Sequence, residues 1–267
     1  MTPFPENIES GALGYGAATR GLPEAESTFH FYMGKILSLR WALLALIVVG
    51  WFVYFPIIDN FRVSTTNQDI FTGELTNVGF ANYTRLFHDP VVWQALWNNC
   101  LYAILSIVFQ VFGAFMVAAL IEGLGSVRWR NFWRAIYFVP SAISTTVTGL
   151  LFYFIYQPDL GLLDGALKFL GLEQLSIPWL GNEHTAIYAI IAMSQWQGFG
   201  YSTLLFTIAI QKIPKELYDA AIMDGAGPLR RLFKITLPMT REMTGLMTIV
   251  TISGAFQVFN EVMVMTA

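Results

Sequence analysis

Three runs of hydroxyl and amide side chains interrupt long apolar segments of the chain. Ser141, Ser144, Thr145 and Thr148 recur at i, i+3, i+4 and i+7, and Ser194, Gln197, Gly198 and Tyr201 do the same. Ser253, Gln257, Asn260 and Glu261 keep a similar rhythm. On a helix each run makes one face. Polar side chains inside a membrane helix usually turn to the bundle interior or to a water cavity. The chemistry on offer is hydrogen bonding to a hydroxylated solute, because amides and carboxylates complement hydroxyls that both donate and accept. Trp196, Phe199 and Phe256 could stack on the apolar face of a sugar ring, although such aromatics more often pack between helices. The competing use of the polar groups is bonding to neighbouring helices or to their own backbone. Ser144, Thr148 and Ser253 fit that use better. Gln197, Gln257 and Glu261 fit either.

Covalent and metal chemistry have no comparable footing. His30, His88 and His184 are far apart and form no metal-ligand spacing. The single cysteine, Cys100, excludes an internal disulfide framework and reads as a buried, inert thiol. Asp59, Glu122 and Glu261, the acidic residues near or inside apolar segments, lie on different segments and offer no titratable pair. Nucleotide binding would need G-x-x-x-x-G-K-[ST]. The only Gly-Lys pair, Gly34-Lys35, is followed by Ile36 and lacks the upstream glycine. The expectation is a chain with no catalytic residues, no metal and no cofactor of its own.

The elements that position the polar runs follow from hydropathy. The chain is 55% hydrophobic and only 12% charged, with mean hydropathy +0.54, which soluble domains do not reach. A bilayer core takes about 20 apolar residues as a helix. Five segments qualify or nearly so: Leu37–Ile58, Leu101–Ile121, Ala135–Tyr156, Thr185–Ile210 and Met243–Met265. The predicted fold is therefore all-α, a polytopic transmembrane helical bundle over residues 37–267. Residues 1–36, rich in Gly, Ala, Pro and Glu, read as a flexible tail and not as a signal peptide. Of the 15 Lys and Arg residues, 12 fall in the stretch from the tail through Arg40, the 122–134 loop and the 211–242 loop, leaving Arg62, Arg85 and Lys168 elsewhere. The positive-inside rule puts those three segments in the cytoplasm, including the N-terminus, and the 60–96 and 157–184 segments outside. The expected place is a multi-pass position in a membrane, surrounded by lipid, with no nucleic-acid partner.

One loop stands apart. KELYDAAIMDGAGPLRRLFKITLP, Lys215 to Pro238, concentrates charge in a greasy chain. Pro214 suits a first helical position, and Glu216 and Asp219 suit a first turn. Gly225 can take the left-handed conformation that ends a helix. Pro228 then opens a second helix, with Arg230, Arg231 and Lys234 toward its end, and Pro238 marks the turn into the last span. An amphipathic loop lying on lipid headgroups is the plainer reading. The small pair Ala220-Ala221 argues for close approach by another protein's surface.

Asp219-Ala220-Ala221, three residues, Gly225, nine residues, Ile235, one residue, Leu237-Pro238 resembles the signature of ABC importer permeases, Glu-Ala-Ala-x3-Gly-x9-Ile-x-Leu-Pro. Asp219 stands where the family usually has Glu. Ile213-Pro214, Glu216-Leu217-Tyr218 and Met223-Asp224-Gly225-Ala226 match as well. The resemblance extends over roughly residues 37–266 and is strongest to the carbohydrate-uptake branch of maltose and glycerol-phosphate type. It rests there on Gly79 to Tyr83, Phe138-Val139-Pro140, Gly161-Leu162-Leu163 and Phe259-Asn260.

The resemblance implies that residues 213–238 are coupling helices docking on a cytoplasmic ATPase. Their coupling positions are Glu216, Tyr218, Asp219, Ala220, Ala221, Asp224, Gly225, Arg230, Leu237 and Pro238. It also implies a second homologous permease, two ATPase subunits that hydrolyse the ATP, and an external solute-binding protein. The carbohydrate branch's sugar-contacting positions fall near Ser141, Thr145, Ser194, Gln197, Gly198, Gln257 and Glu261. Most side chains there differ, which points away from maltose itself. A sugar or related polyhydroxylated solute is the expected cargo. A non-sugar solute such as a polyamine, or a non-transport membrane scaffold, stays open as the alternative. The family pattern continues after Thr266 with one more span, so the expectation is a trimmed sequence and not a five-span variant.

Overall fold

A computed structural model of the chain describes residues 42–69 and 71–266. The expected tail, residues 1–36, and the start of the first expected span lie outside the described residues. The chain divides into two units at His88 and Asp89.

In the first unit, α1 runs from Ala42 to Ser64, about 35 Å at 1.5 Å per residue. A π turn at Gly50–Tyr54 precedes Pro56. The wider turn accommodates the N–H that proline lacks. Two short strands follow, β1 (Thr66–Gln68) and β2 (Leu75–Asn77), paired antiparallel with Thr66 opposite Asn77. They are the departure from an all-α fold. Helix α2 (Ala81–His88) holds the hairpin. Asn82 Nδ2 donates to the carbonyls of Ser64 and Thr66, each at 3.0 Å.

The second unit opens with α3, Pro90–Glu122. Asp89 caps it by accepting from Val91 N–H at 2.9 Å, with Pro90 at the first position. Its 33 residues make it about 50 Å long, well past a bilayer core of about 30 Å. The expected second span, Leu101–Ile121, covers only the later part of this helix, because Gln94, Asn98 and Asn99 dilute the hydropathy of its first third. Cys100, expected buried, is exposed on this helix.

The third expected span, Ala135–Tyr156, is not one helix. Val127–Ala142 (α4) and Thr145–Ile155 (α5) meet at 93°. Pro140 lies in the 3-10 turn that ends α4, and Ile143 and Ser144 are extended. α5 alone measures about 17 Å, roughly half a bilayer core. α4 is interfacial in composition, with Arg128, Arg130 and Arg134 beside exposed Trp129, Phe132 and Trp133. Ser141 and Ser144 therefore do not share a helix face with Thr145 and Thr148, as the spacing had predicted.

α6 (Leu162–Phe169) caps the far end. α7 (Ala186–Gln211) is the expected fourth span. It is about 39 Å long, but too polar to qualify as a span by composition. Its polar groups are inside: Ser194, Gln195, Ser202, Thr203 and Thr207 are all buried. α3, α4, α5 and the last two helices pack around it. Ala114 and Ala118 are fully buried where α3 meets α7, and Phe115 and Phe206 meet edge to face at 5.7 Å. Gly200 is the closest approach: a Cβ there would lie 1.7 Å from the Tyr137 carbonyl oxygen.

α8 (Lys215–Met223) and α9 (residues 228–239) form a hairpin. α10 (Arg241–Ala255) and α11 (Asn260–Thr266) complete the bundle. The last two bend by 46°, so the fifth expected span, Met243–Met265, is also broken. The run Ser253, Gln257, Asn260, Glu261 straddles that break.

Candidate functional site

An open cavity of about 350 Å³ lies in the bundle. Ser141 from the end of α4, Ser194, Gln197 and Gly198 from α7, and Glu261 from α11 line it. Five of the seven expected solute-pathway residues thus converge from three elements. The two helix breaks bring them together, because Ser141 sits at one and Glu261 lies in the first turn of the helix after the other. Thr145 and Gln257 stand outside. Gln257 is exposed and its amide folds back to Ser253, donating to the carbonyl at 3.1 Å and reaching the hydroxyl at 3.0 Å.

Gln197 does two things at once. Its Nε2 donates to the Ile143 carbonyl at 2.7 Å, one of the backbone groups freed by the break between α4 and α5. Irregular backbone at membrane depth persists only where such groups are re-satisfied. Gln197 also lines the cavity.

Among the lining residues that escaped the sequence reading, three lie on α3. Tyr102, Ser106 and Gln110 recur at i, i+4 and i+8 on α3, a polar stripe that could have been found by the same spacing rule. A π stretch at Ile107–Gly113 widens the helix there, as π-bulges often do at functional positions. Gln110 Nε2 would lie 2.8 Å from a Cβ on Gly198, so any larger residue at 198 would press on it. Ser106 accepts from Gln195 Nε2 at 2.9 Å. The hydroxyl of Thr251 is buried without a partner among the described residues, and both Ser194 and Thr251 line the cavity. The lining as a whole is rich in uncharged hydroxyls and amides, with Glu261 as its single carboxylate.

At the other end of α7 the hairpin has the expected turn. Gly225 has φ +72°. Ala226 N–H donates to the Ala221 carbonyl at 2.8 Å and Gly225 N–H to the Ile222 carbonyl at 2.9 Å, the paired bonds of a left-handed helix cap. Pro214 caps α8 from outside instead of opening it. Glu216, Asp219, Ala220, Asp224, Gly225, Arg230 and Pro238 are exposed. Met223 presents 87% of its surface. Tyr218, Ala221 and Leu237 turn inward and are only partly exposed. Tyr218 joins the two arms, its hydroxyl 2.9 Å from that of Thr236. α9 runs through a π turn, Leu232–Thr236, before Pro238. Glu122, with a side chain 9% exposed, draws the ends of α3, α4 and α7 together. It pairs with Arg134, lies 3.7 Å from Arg130, and accepts from Gln211 at 3.3 Å.

On the far side, Lys168 Nζ lies 2.8 Å from Asp164 and 3.0 Å from Asp159, and Ser176 donates to Asp164. The hydrogen bond from Lys168, then that from Ser176, holds the Asp164 carboxyl below the usual carboxylate range. The same bond with Asp164 raises the Lys168 ammonium.

A family model described as binding-protein-dependent transport system inner membrane component matches residues 111–264. The probable ABC transporter permease protein YurN of Bacillus subtilis (strain 168) is 47% identical over 232 residues, covering 87% of this chain and 79% of that one. The arabinooligosaccharides transport system permease protein AraP of the same organism is 32% identical over 234 residues, covering 86% and 72%. The fold also matches a crystal structure of a bacterial alginate ABC transporter in complex with an alginate pentasaccharide-bound periplasmic protein. The TM-score is 0.72 at 20% identity, covering 88% of this chain and 81% of that one.

Proposed function

The chain belongs to the binding-protein-dependent transport system inner membrane components, the permeases of ABC importers, and on that premise we propose that it carries a sugar or related polyhydroxylated solute across the membrane. The observation that carries this reading is the cavity lining. Hydroxyls and amides from α3, α4 and α7 surround a space with one carboxylate, Glu261. Such a lining suits a neutral solute with many hydroxyls. A polyamine would call for several carboxylates to balance its charge. The name of the relative AraP, an arabinooligosaccharides permease, supports the same class.

The chain works with a second permease, two ATPase subunits and an external binding protein. ATP hydrolysis resides on the ATPases, and this chain holds no cofactor. The hairpin α8–α9 faces the cytoplasm, as does the N-terminus, since most Lys and Arg residues lie on that side. Its exposed positions Glu216, Asp219, Ala220, Asp224 and Arg230 dock on the ATPase. The ATPases' closure pushes the hairpin, and α7, which continues into it through Lys212–Pro214, passes the movement to the cavity. Gln197 and Glu261 then meet the solute in one conformation and release it in the other.

The test is uptake by reconstituted liposomes containing the complete importer and solute-loaded binding protein. Radiolabelled arabino-oligosaccharides and other neutral oligosaccharides are compared with spermidine. ATP-dependent accumulation of an oligosaccharide is the expected result. Accumulation of spermidine alone would overturn the solute class while leaving the permease assignment intact.

A further inference from the structure

A second, larger cavity of about 810 Å³ opens at the end of the bundle that carries the hairpin. Four cationic side chains line it, Arg130, Arg134, Lys215 and Arg231, against one carboxylate, Glu122. Glu122 is already engaged by Arg134 and Arg130. Lys215 and Arg231 form no ion pair among the described residues. The Nε atoms of Arg134 and Arg231 are buried and lack a hydrogen-bond acceptor among the described residues. Buried guanidinium N–H groups without acceptors are costly, and phosphate oxygens are their natural complement.

The walls below these cations are apolar. Met116, Leu120, Ile210 and Leu232 line the same space. They belong to the ends of α3 and α7 and to α9, where membrane-embedded helix gives way to charged loop. The site is therefore amphipathic in the direction a lipid is, with aliphatic surface toward the bilayer and positive charge at its edge. It is also separate from the docking face of the hairpin. On α8, Lys215 and Tyr218 line the cavity, whereas the exposed Glu216, Asp219, Ala220 and Met223 do not. The spacing of the second set, i, i+3, i+4 and i+7, is a different stripe of the helix.

We propose that this cavity binds an anionic phospholipid. The phosphate sits between Arg231, Lys215 and the Arg134 guanidinium, and the acyl chains lie along α3 and α7. Basic pockets between membrane helices on the cytoplasmic side are suited to such headgroups. The inference rests on the reading that the hairpin end faces the cytoplasm. Bound there, the lipid braces the arm of α8 that carries Tyr218 and ties the hairpin to the bundle, so occupancy tunes how firmly the coupling hairpin is held.

The test uses the assembled importer, delipidated in detergent and titrated with phosphatidylglycerol or phosphatidylcholine, with bound lipid counted by native mass spectrometry. Wild type is expected to retain phosphatidylglycerol and not phosphatidylcholine. Removing two cations with Lys215→Gln and Arg231→Gln is expected to weaken retention about 30-fold. That is about 2 kcal/mol at 1.4 kcal/mol per tenfold, with about 1 kcal/mol for each cation near the surface. Arg231→Lys, which keeps the charge, is expected to restore most of a single-site loss and shows that the fold survives. Equal retention of both lipids by wild type, or no change in the double variant, overturns the proposal. Displacement by millimolar inorganic phosphate overturns the lipid source and leaves a free-anion site. Loss of the ATPase subunits from the double variant, with phosphatidylglycerol retained, assigns the cations to a protein contact instead. Cytoplasmic accessibility of Pro228→Cys, measured separately, tells failure of the orientation from failure of the site.

Discussion

Gly225→Val isolates what the hairpin turn contributes. At φ +72° an L residue costs about 1–2 kcal/mol, and a β-branched one lies at the upper end. A Cβ at this position would meet nothing within 4 Å, so the cost is conformational and not a clash. If valine leaves the left-handed region, the bonds from Ala226 to Ala221 and from Gly225 to Ile222 go with it. The angle between α8 and α9 is then lost. A penalty of that size shifts the population of the closed hairpin about 5- to 30-fold, at 1.4 kcal/mol per tenfold. The assay is ATPase stimulation by loaded binding protein in liposomes, with uptake measured in parallel. Stimulated uptake should fall severalfold in Gly225→Val and less in Gly225→Ala. It should stay near wild type in Gly225→Asn, because asparagine tolerates the left-handed conformation. The melting temperature should move little, since the turn is exposed and local opening need not unfold the bundle. Equal loss in the Asn and Val variants would mean that bulk at a docking surface matters, not backbone conformation. Unchanged stimulation in the Val variant would refute the reasoning altogether.

Gln197→Ala should lower both solute affinity and stability, because the Ile143 carbonyl loses its donor. About 1 kcal/mol, the lower end for an orphaned polar group, is expected because the bond is only part-buried, read by melting in detergent beside uptake kinetics. Gln257→Ala, whose side chain is exposed and bonded within its own turn, should leave melting unchanged. Gly200→Ala should disrupt packing of α7 on α4, since its Cβ would overlap the Tyr137 carbonyl. Overpacking typically costs 1–3 kcal/mol or more, visible as poor assembly on size exclusion. Asp164, held below its ordinary pKa of about 3.9, stabilises the 157–184 cap at neutral pH. That contribution is lost as pH falls below about 4, through the folded value. Asp164→Asn should flatten the acid limb of a proteolysis profile of the cap. Cysteines at Asn77 and Glu173 should react with an impermeant thiol reagent on intact cells, and one at Pro228 only after lysis.

The hairpin and the helical character of the spans were legible in the sequence because both are local. Gly225, Pro228 and Pro238 restrict their own backbone wherever they stand, and apolar composition over about 20 residues states its own solvent. The same locality explains the errors. Hydropathy cannot see a bend, so α4–α5 and α10–α11 each read as one span, although Pro140 was a visible signal for the first break. Cys100 and Gln257 read as inward-facing because their neighbours are apolar, but in a membrane protein apolar surroundings also mark the outside. What the tertiary structure alone decided was which polar groups meet. Gln197 reaches a carbonyl 54 residues away. Gln195 reaches Ser106 across 89, and Tyr102, Ser106 and Gln110 join a cavity whose other walls come from α4, α7, α10 and α11. Inside a bilayer every freed backbone group must find a protein partner. The partner depends on which helices pack together, and a single segment's sequence carries no record of that.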